Sequence, residues 1–337
     1  MTAVHVIVPE GIDDPTRPSG GNTFDRRLCR GLEHAGWTVH VHPTPDASNA
    51  ALARVVRGIP DGAVVLLDGL VASPAPEVLV PEADRLRLVV LVHMPLEDAR
   101  EGAVLSTAAA VVTTSAWARR TVLGLYSLPG DRVHVAEPGV DEAGLASGTA
   151  DAGALLTVAA VIPGKGHDVL LDALALLNGL RWSCTCVGSL DRDPAFAERL
   201  RRRALNDGLD GRVRFSGPRT RADLAGSYRA ADLLVLPSRA ETYGMVVTEA
   251  LAHGLPVVAS DVGGVPEALG HGADGTRPGL LVPPDDPAAL GDALRAWLAD
   301  AALRRRLRRA ARERRASLSG WSTATSVVAD VLAEAAR

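Results

Sequence analysis

Short apolar runs recur along the chain, each followed by a polar turn and then by a stretch with apolar residues at every third or fourth position. The runs predict β-strands and the stretches predict amphipathic helices. Val4–Val8 reads as the first strand, and a loop with Pro15, Pro18, Gly20 and Gly21 follows it. From about Thr23, the residues Phe24, Leu28, Leu32 and Ala35 trace one face of a helix. Further strands are predicted at Thr38–His42, Ala63–Leu67, Leu88–His93, Val111–Thr114 and Val133–Ala136.

Residues 138–152 are small and polar and suit a linker. The alternation then restarts, with strands at Leu155–Val161, Trp182–Val187, Val213–Phe215, Leu233–Leu236, Val257–Ala259 and Leu280–Val282. Helices are predicted from about Gly166, over Pro287–Leu298 and Ala302–Leu318, and from Trp321 onward. Strands that alternate with helices in this way predict parallel sheets covered on both faces. The expected fold class is α/β, as two Rossmann-like doubly wound domains facing each other across a cleft. The expected boundaries are 1–148 for the first domain, 149–320 for the second, and 321–337 for a last helix.

A length of 337 residues is ample for two cores. The net charge of −4 argues against a nucleic-acid partner, which would call for a basic excess. Arginines do cluster at 199–203 and at 304–315. The second cluster reads first as the solvated face of a helix, with peripheral contact to an anionic membrane as the alternative. No apolar run is long enough to span a bilayer, and the chain enters its first strand with no basic leader. Cys29, Cys184 and Cys186 have no zinc spacing and suit core filler in a reducing cytoplasm.

The segment from Pro237 to Pro256 is the most informative. It starts where an apolar strand ends and carries Glu241 and Glu249 with seven residues between them. The Tyr243–Gly244 turn opens a helix on which Met245, Val246, Ala250 and Leu251 form an apolar face. One acid before a helix start and one within it, beside unpaired amides at a strand's carboxyl end, suit a ligand with hydroxyls and phosphates. Lys165 is the only lysine of the chain and sits between Gly164 and Gly166. A compact ammonium in a glycine turn suits a phosphate, although His167 stands where a P-loop would carry Ser or Thr. A chance surface lysine is the bland alternative. Gly20, Gly21 and Asn22 precede the first helix and suit amides placed on a phosphate, a simple turn with Asn22 as helix cap, or both together. His93 closes an apolar strand, either as a packing residue or as a hydrogen-bond donor to a sugar hydroxyl.

The run from Phe215 to Glu267 resembles the signature region of the retaining GT-B glycosyltransferases of family 4. Residues 215–218, 231–238, the Glu241/Glu249 pair and 254–267 match that pattern in order and spacing. The resemblance extends to Gly20–Gly21, to His93 and the three residues after it, to 139–141, to Lys165–Gly166 and to Trp321. It implies transfer of a sugar from a nucleotide-sugar donor, a UDP-sugar first, to an acceptor hydroxyl on a small molecule rather than a polymer. It also implies retention of configuration, no metal or other cofactor, an acceptor side in 1–148, nucleotide-sugar binding in 149–320, and a last helix, 321–337, that crosses back to the first domain. By resemblance, Glu249 binds the ribose, Glu241 the donor-sugar hydroxyls, and Lys165 the departing diphosphate. Gly217, Thr242 and the amides of Tyr243, Gly244, Met245 and Val246 line the donor. The Gly20–Asn22 loop closes over it, and the balance for His93 tips towards a sugar contact.

Two positions depart from the family's pattern. Ala160 stands five residues before the lysine, where an arginine is usual, and Arg239 or Arg219 are the candidates to replace its charge. Pro138 stands where an asparagine is usual, which affects loop shape. The missing arginine motivates a rival reading as a non-catalytic nucleotide-sugar binder. A sugar-nucleotide 2-epimerase of the same fold is a further alternative.

Overall fold

The structure is a computed structural model that describes residues 3–14, 18–45 and 48–337. Pro15 of the first glycine loop lies outside the described residues. The chain divides into two compact units, one of residues 1–139 with 319–337 and one of residues 140–318.

The first unit contains β1 (Ala3–Pro9), α1 (Gly20–His34), β2 (Thr38–Thr44), α2 (Asn49–Arg57) and β3 (Val64–Asp68). Two short helices, α3 (Gly69–Ala72) and α4 (Pro76–Leu79), lead to β4 (Arg87–Val92), α5 (Ala99–Thr107), β5 (Ala110–Thr113), α6 (Ala116–Tyr126) and β6 (Val133–Val135). The parallel sheet has the order β2-β1-β3-β4-β5-β6. Chain order reverses between β1 and β3, so their carboxyl ends form the switch point at which open α/β sheets bind ligands. Alternate side chains of β3 enter opposite cores. Val64 and Leu66 join Phe24, Leu28 and Leu32 of α1, whereas Val65 and Leu67 join Leu52 and Val56 of α2.

The second unit contains β7 (Ala154–Val158), α7 (His167–Ala175), β8 (Ser183–Val187), α8 (Pro194–Asn206), β9 (Val213–Gly217), α9 (Arg221–Ala230) and β10 (Leu233–Leu236). It continues with α10 (Met245–Ala252), β11 (Val257–Ser260), α11 (Val265–Leu269), β12 (Gly279–Val282), α12 (Pro287–Ala299) and α13 (Ala301–Arg315). Its parallel sheet runs β12-β11-β10-β7-β8-β9, with Leu155 opposite Leu233 and Leu156 opposite Leu234. The switch point therefore lies between β7 and β10. Every residue of β10 is buried, with Leu233 and Val235 in one core and Leu234 and Leu236 in the other.

The last helix, α14 (Trp321–Ala335), belongs to the first unit, where Ala324, Val328, Val331 and Leu332 pack into the α1 core. The division falls at 139/140 and 318/319 rather than at the expected 148/149 and 320/321. The physical reason is Asp232, a buried carboxylate. It accepts from Thr149 N at 2.9 Å, Ala154 N at 3.0 Å and Arg308 Nη2 at 2.9 Å. Ala146 N also donates to His253 O at 2.8 Å, so the segment predicted as a linker is fastened along the second unit.

The Arg304–Arg315 cluster is partly spent inside the fold. Besides the Arg308–Asp232 pair, Arg304 donates to the carbonyls of Trp297 and Leu298, and Arg315 to those of Ala252 and Ala143. Cys184 and Cys186 are both core residues, as alternation along β8 requires. No helix among the described residues is long and apolar enough to cross a membrane.

Candidate active site

Two loops meet at the switch point of the second unit. The first leaves β7 through Ala159 and Ala160, makes a single tight turn over Pro163–Lys165, and enters α7 through Gly166. The second leaves β10 at Pro237 and reaches α10 through Gly244, whose left-handed φ of 90° turns the chain into the helix. Arg239 N donates to Gly164 O at 2.9 Å and ties one loop to the other. Across this junction Lys165 Nζ lies 2.7 Å from Glu241 Oε1, with the two side chains 28% and 13% exposed. The buried Ser238 donates its hydroxyl to the same oxygen at 2.8 Å. Topology thus joins a cation and an acid 76 residues apart in sequence.

Glu249 follows on α10. Its Oε2 accepts from the Tyr228 hydroxyl of α9 at 2.7 Å. Burial raises the Glu249 carboxyl above its ordinary range, with Asp141 adding to the rise, while the Tyr228 hydrogen bond and Arg221 oppose it. Burial and the Glu249 charge push the Tyr228 phenol well up in turn, which keeps it a donor. No side chain caps the amino end of α10, where Met245 and Val246 form the first turn. Thr242 and Tyr243 occupy the loop just before it. Glu241, Thr242, Tyr243, Gly244, Met245, Val246 and Glu249 are therefore grouped around the uncapped, electropositive end of one helix. Gly217 ends β9, two strands from β7 in the sheet, and makes no hydrogen bond to the Lys165–Glu241 pair.

Neither arginine proposed as a substitute at the Ala160 position is uncommitted. Arg239 binds both oxygens of Asp168 at 3.0 and 2.9 Å, Asp285 Oδ1 at 2.6 Å, and the carbonyl of Pro163. It braces the lysine turn. Arg219 Nη1 donates to Ser227 Oγ at 2.6 Å.

Gly20, Gly21, Asn22 and His93 lie in the first unit. The cap of α1 is Ser19, whose Oγ accepts from Asn22 N at 3.0 Å, so Asn22 is not the cap and the helix starts three residues before the predicted Thr23. His93 follows β4 and faces two buried aspartates. Its Nε2 lies 2.9 Å from Asp25 Oδ1 and 3.8 Å from Asp68 Oδ2, with each aspartate only 2% exposed. Burial disfavours the charged imidazole, but the Asp25 carboxylate, by charge and hydrogen bond, and Asp68 behind it push His93 up to about 9. Burial and the neighbouring Asp25 carboxylate raise Asp68. One nitrogen or oxygen atom of each of the three residues lies within 4.8 Å of the others. An ion there would have to break the hydrogen bond that already joins Nε2 to Oδ1.

Sequence reasoning missed Asp25, Asp68, Tyr228 and Ser238. Asp25 carried a signal. It shares the helical stripe of Leu28, Cys29 and Leu32, a position that buries an acid. Asp68 ends an all-apolar strand, as His93 does.

A family model for glycosyl transferases group 1 matches residues 149–314, the segment that builds the Lys165–Glu241–Glu249 site. The D-inositol 3-phosphate glycosyltransferase 1 of Catenulispora acidiphila is 33% identical over 315 residues, which cover 85% of this chain and 69% of the relative. The D-inositol 3-phosphate glycosyltransferase of Jonesia denitrificans is 35% identical over 249 residues, covering 68% of this chain and 58% of the relative's length. Among solved structures, a sucrose-phosphate synthase from Thermosynechococcus elongatus superposes with a TM-score of 0.79 at 23% identity, over 99% of both chains. Anabaena HepE, in complex with UDP-glucose, superposes with a TM-score of 0.79 at 17% identity, over 99% of this chain and 100% of its own. These likenesses identify the α/β fold as GT-B, and the chain belongs to the glycosyl transferases group 1 family.

Proposed function

We propose that the protein transfers a sugar from a nucleotide-sugar donor to a hydroxyl of a small acceptor, with retention of configuration. The observation that carries this reading is the Lys165–Glu241 pair, 2.7 Å apart at a topological switch point and beside the uncapped start of α10. A diphosphate takes negative charge as it leaves, and Lys165 exchanges its carboxylate partner for that charge. Glu241, released, accepts hydrogen bonds from sugar hydroxyls. The amides at the start of α10 receive phosphate oxygens. Glu249, fixed by Tyr228, accepts from the ribose hydroxyls. The work is positioning and electrostatic stabilisation, and the lysine supplies the positive charge that a metal would otherwise bring.

A uridine diphosphate sugar is the proposed donor, supported by the UDP-glucose held by HepE on the same fold. The names of the curated relatives support a polyol phosphate of the inositol phosphate class as acceptor. His93 is the proposed sugar contact of the first unit. The three cysteines are buried and unpaired, which suits a reducing cytoplasm. Incubation with UDP-, GDP- and ADP-sugars, with and without inositol phosphate, tests the reading in the presence of EDTA. Acceptor-dependent release of UDP and a glycosylated product are expected. Binding without release, or interconversion of the sugars, would overturn it.

A further inference from the structure

The three groups around the first unit's switch point come from separate elements. Asp25 lies on the second turn of α1, Asp68 ends β3, and His93 follows β4. Asp68 Oδ1 accepts from Leu70 N at 2.6 Å, which leaves Oδ2 towards the imidazole. Asp25 Oδ2 is buried, and Oδ1 of the same carboxyl lies 2.9 Å from His93 Nε2. Phe24 packs edge-on to the ring at 5.4 Å, and a Cβ on Gly21 would sit 3.3 Å from His93 Cδ2. The imidazole is held by charge on one edge, by an aromatic ring on its face, and by a glycine that leaves it room.

An ionised carboxyl only accepts, so the bond to Asp25 requires the proton on Nε2. Nδ1 has no hydrogen-bond partner among the described residues and is the free edge of the ring. We propose that Asp25 is a positioning residue which, with Asp68, fixes the tautomer, orientation and charge of His93, so that Nδ1–H is offered to a substrate oxygen at the first unit's switch point. This rests on the reading of His93 as a substrate contact. An unpaired histidine would be mostly neutral at pH 8, with Nδ1 free to accept as readily as donate. The pair of aspartates, the charged groups facing the ring from α1 and β3, removes that ambiguity. Two carboxyls against one imidazolium leave a charge in excess, and burial together with the neighbouring Asp25 raises Asp68.

The test is nitrogen-15 NMR of the histidine rings in the full chain, with His93 assigned through His93→Gln. In the wild type, His93 should remain an imidazolium at pH 8. In Asp25→Asn, whose amide oxygen can still accept from Nε2 and keep the packing, it should titrate near the ordinary value. A fall from about 9 to 6.5 leaves roughly 30-fold less imidazolium at pH 8. The alkaline limb of kcat/KM should move to lower pH by more than one unit in Asp25→Asn, and less in Asp68→Asn, with Tm as the check on folding. Wild-type His93 neutral at pH 8, or an unchanged titration in folded Asp25→Asn, overturns the proposal. The NMR measurement needs no substrate, so a protein without transferase activity would refute the function and not this inference.

Discussion

Lys165 and Ser238 converge on one oxygen of Glu241, at 2.7 and 2.8 Å. The lysine proposed for the diphosphate is therefore stored against the acid proposed for the sugar. Both groups are partly solvated, so the pair is worth about 0–1 kcal/mol to the fold. Lys165→Ala should leave the melting temperature almost unchanged and lower UDP release by about 100-fold or more, as expected when one transition-state contact is removed. Near-wild-type turnover would take Lys165 out of the reaction.

Tyr228 and Glu249 form the second such pair. A hydrogen bond to an ionised group contributes about 1.5–3 kcal/mol, and Tyr228→Phe leaves a buried carboxyl without it. Calorimetry with UDP should show weaker binding in Tyr228→Phe. In Glu249→Gln the preference for UDP over its 2′,3′-dideoxy analogue should shrink. An unaltered preference would mean that Glu249 does not contact the ribose.

The glycines flanking Lys165 do different jobs. A Cβ on Gly164 meets nothing within 4 Å, whereas on Gly166 it would lie 1.9 Å from Pro237 O, at a φ of +66°. Close approach of the two loops, rather than of a ligand, requires Gly166. Gly166→Ala should cost about 3 kcal/mol or more or prevent folding, while Gly164→Ala should fold normally. Chemical denaturation of the two variants decides, and equal stabilities would contradict the loop packing.

The pH dependence of stability has a definite sign at His93. Its folded value of about 9 lies above the ordinary 6.5, so the folded state retains a proton that the unfolded chain gives up between them. The stabilisation is fully present below pH 6.5 and is lost as pH rises through 9. Wild type should lose roughly 2–4 kcal/mol more than Asp25→Asn between those values, measured by denaturation at each pH. Equal losses would sink this assignment.

Strand runs such as Leu233–Leu236 were legible because a buried parallel strand needs apolar residues on both faces. The strand expected over Leu155–Val161 stops at Val158, because Ala159 and Ala160 already begin the lysine loop. The Glu241–Glu249 spacing and the solitary Lys165 stand out in one dimension, since each lies where a strand ends or a helix begins. For Arg239, a candidate to replace the missing arginine, the sequence shows the charge and not the two aspartates that hold it.

By itself, the sequence determined the alternation of strands and helices, the family, and the acids and lysine at strand ends. Those properties are local, written in periodicity and spacing. Only the tertiary structure decided which of them touch. The β7–β10 pairing brings Lys165 to Glu241, and the neighbouring ends of β3 and β4 bring Asp68 to His93. Charges separated by dozens of residues become partners through sheet order, and partners set the proton affinities that no spacing records.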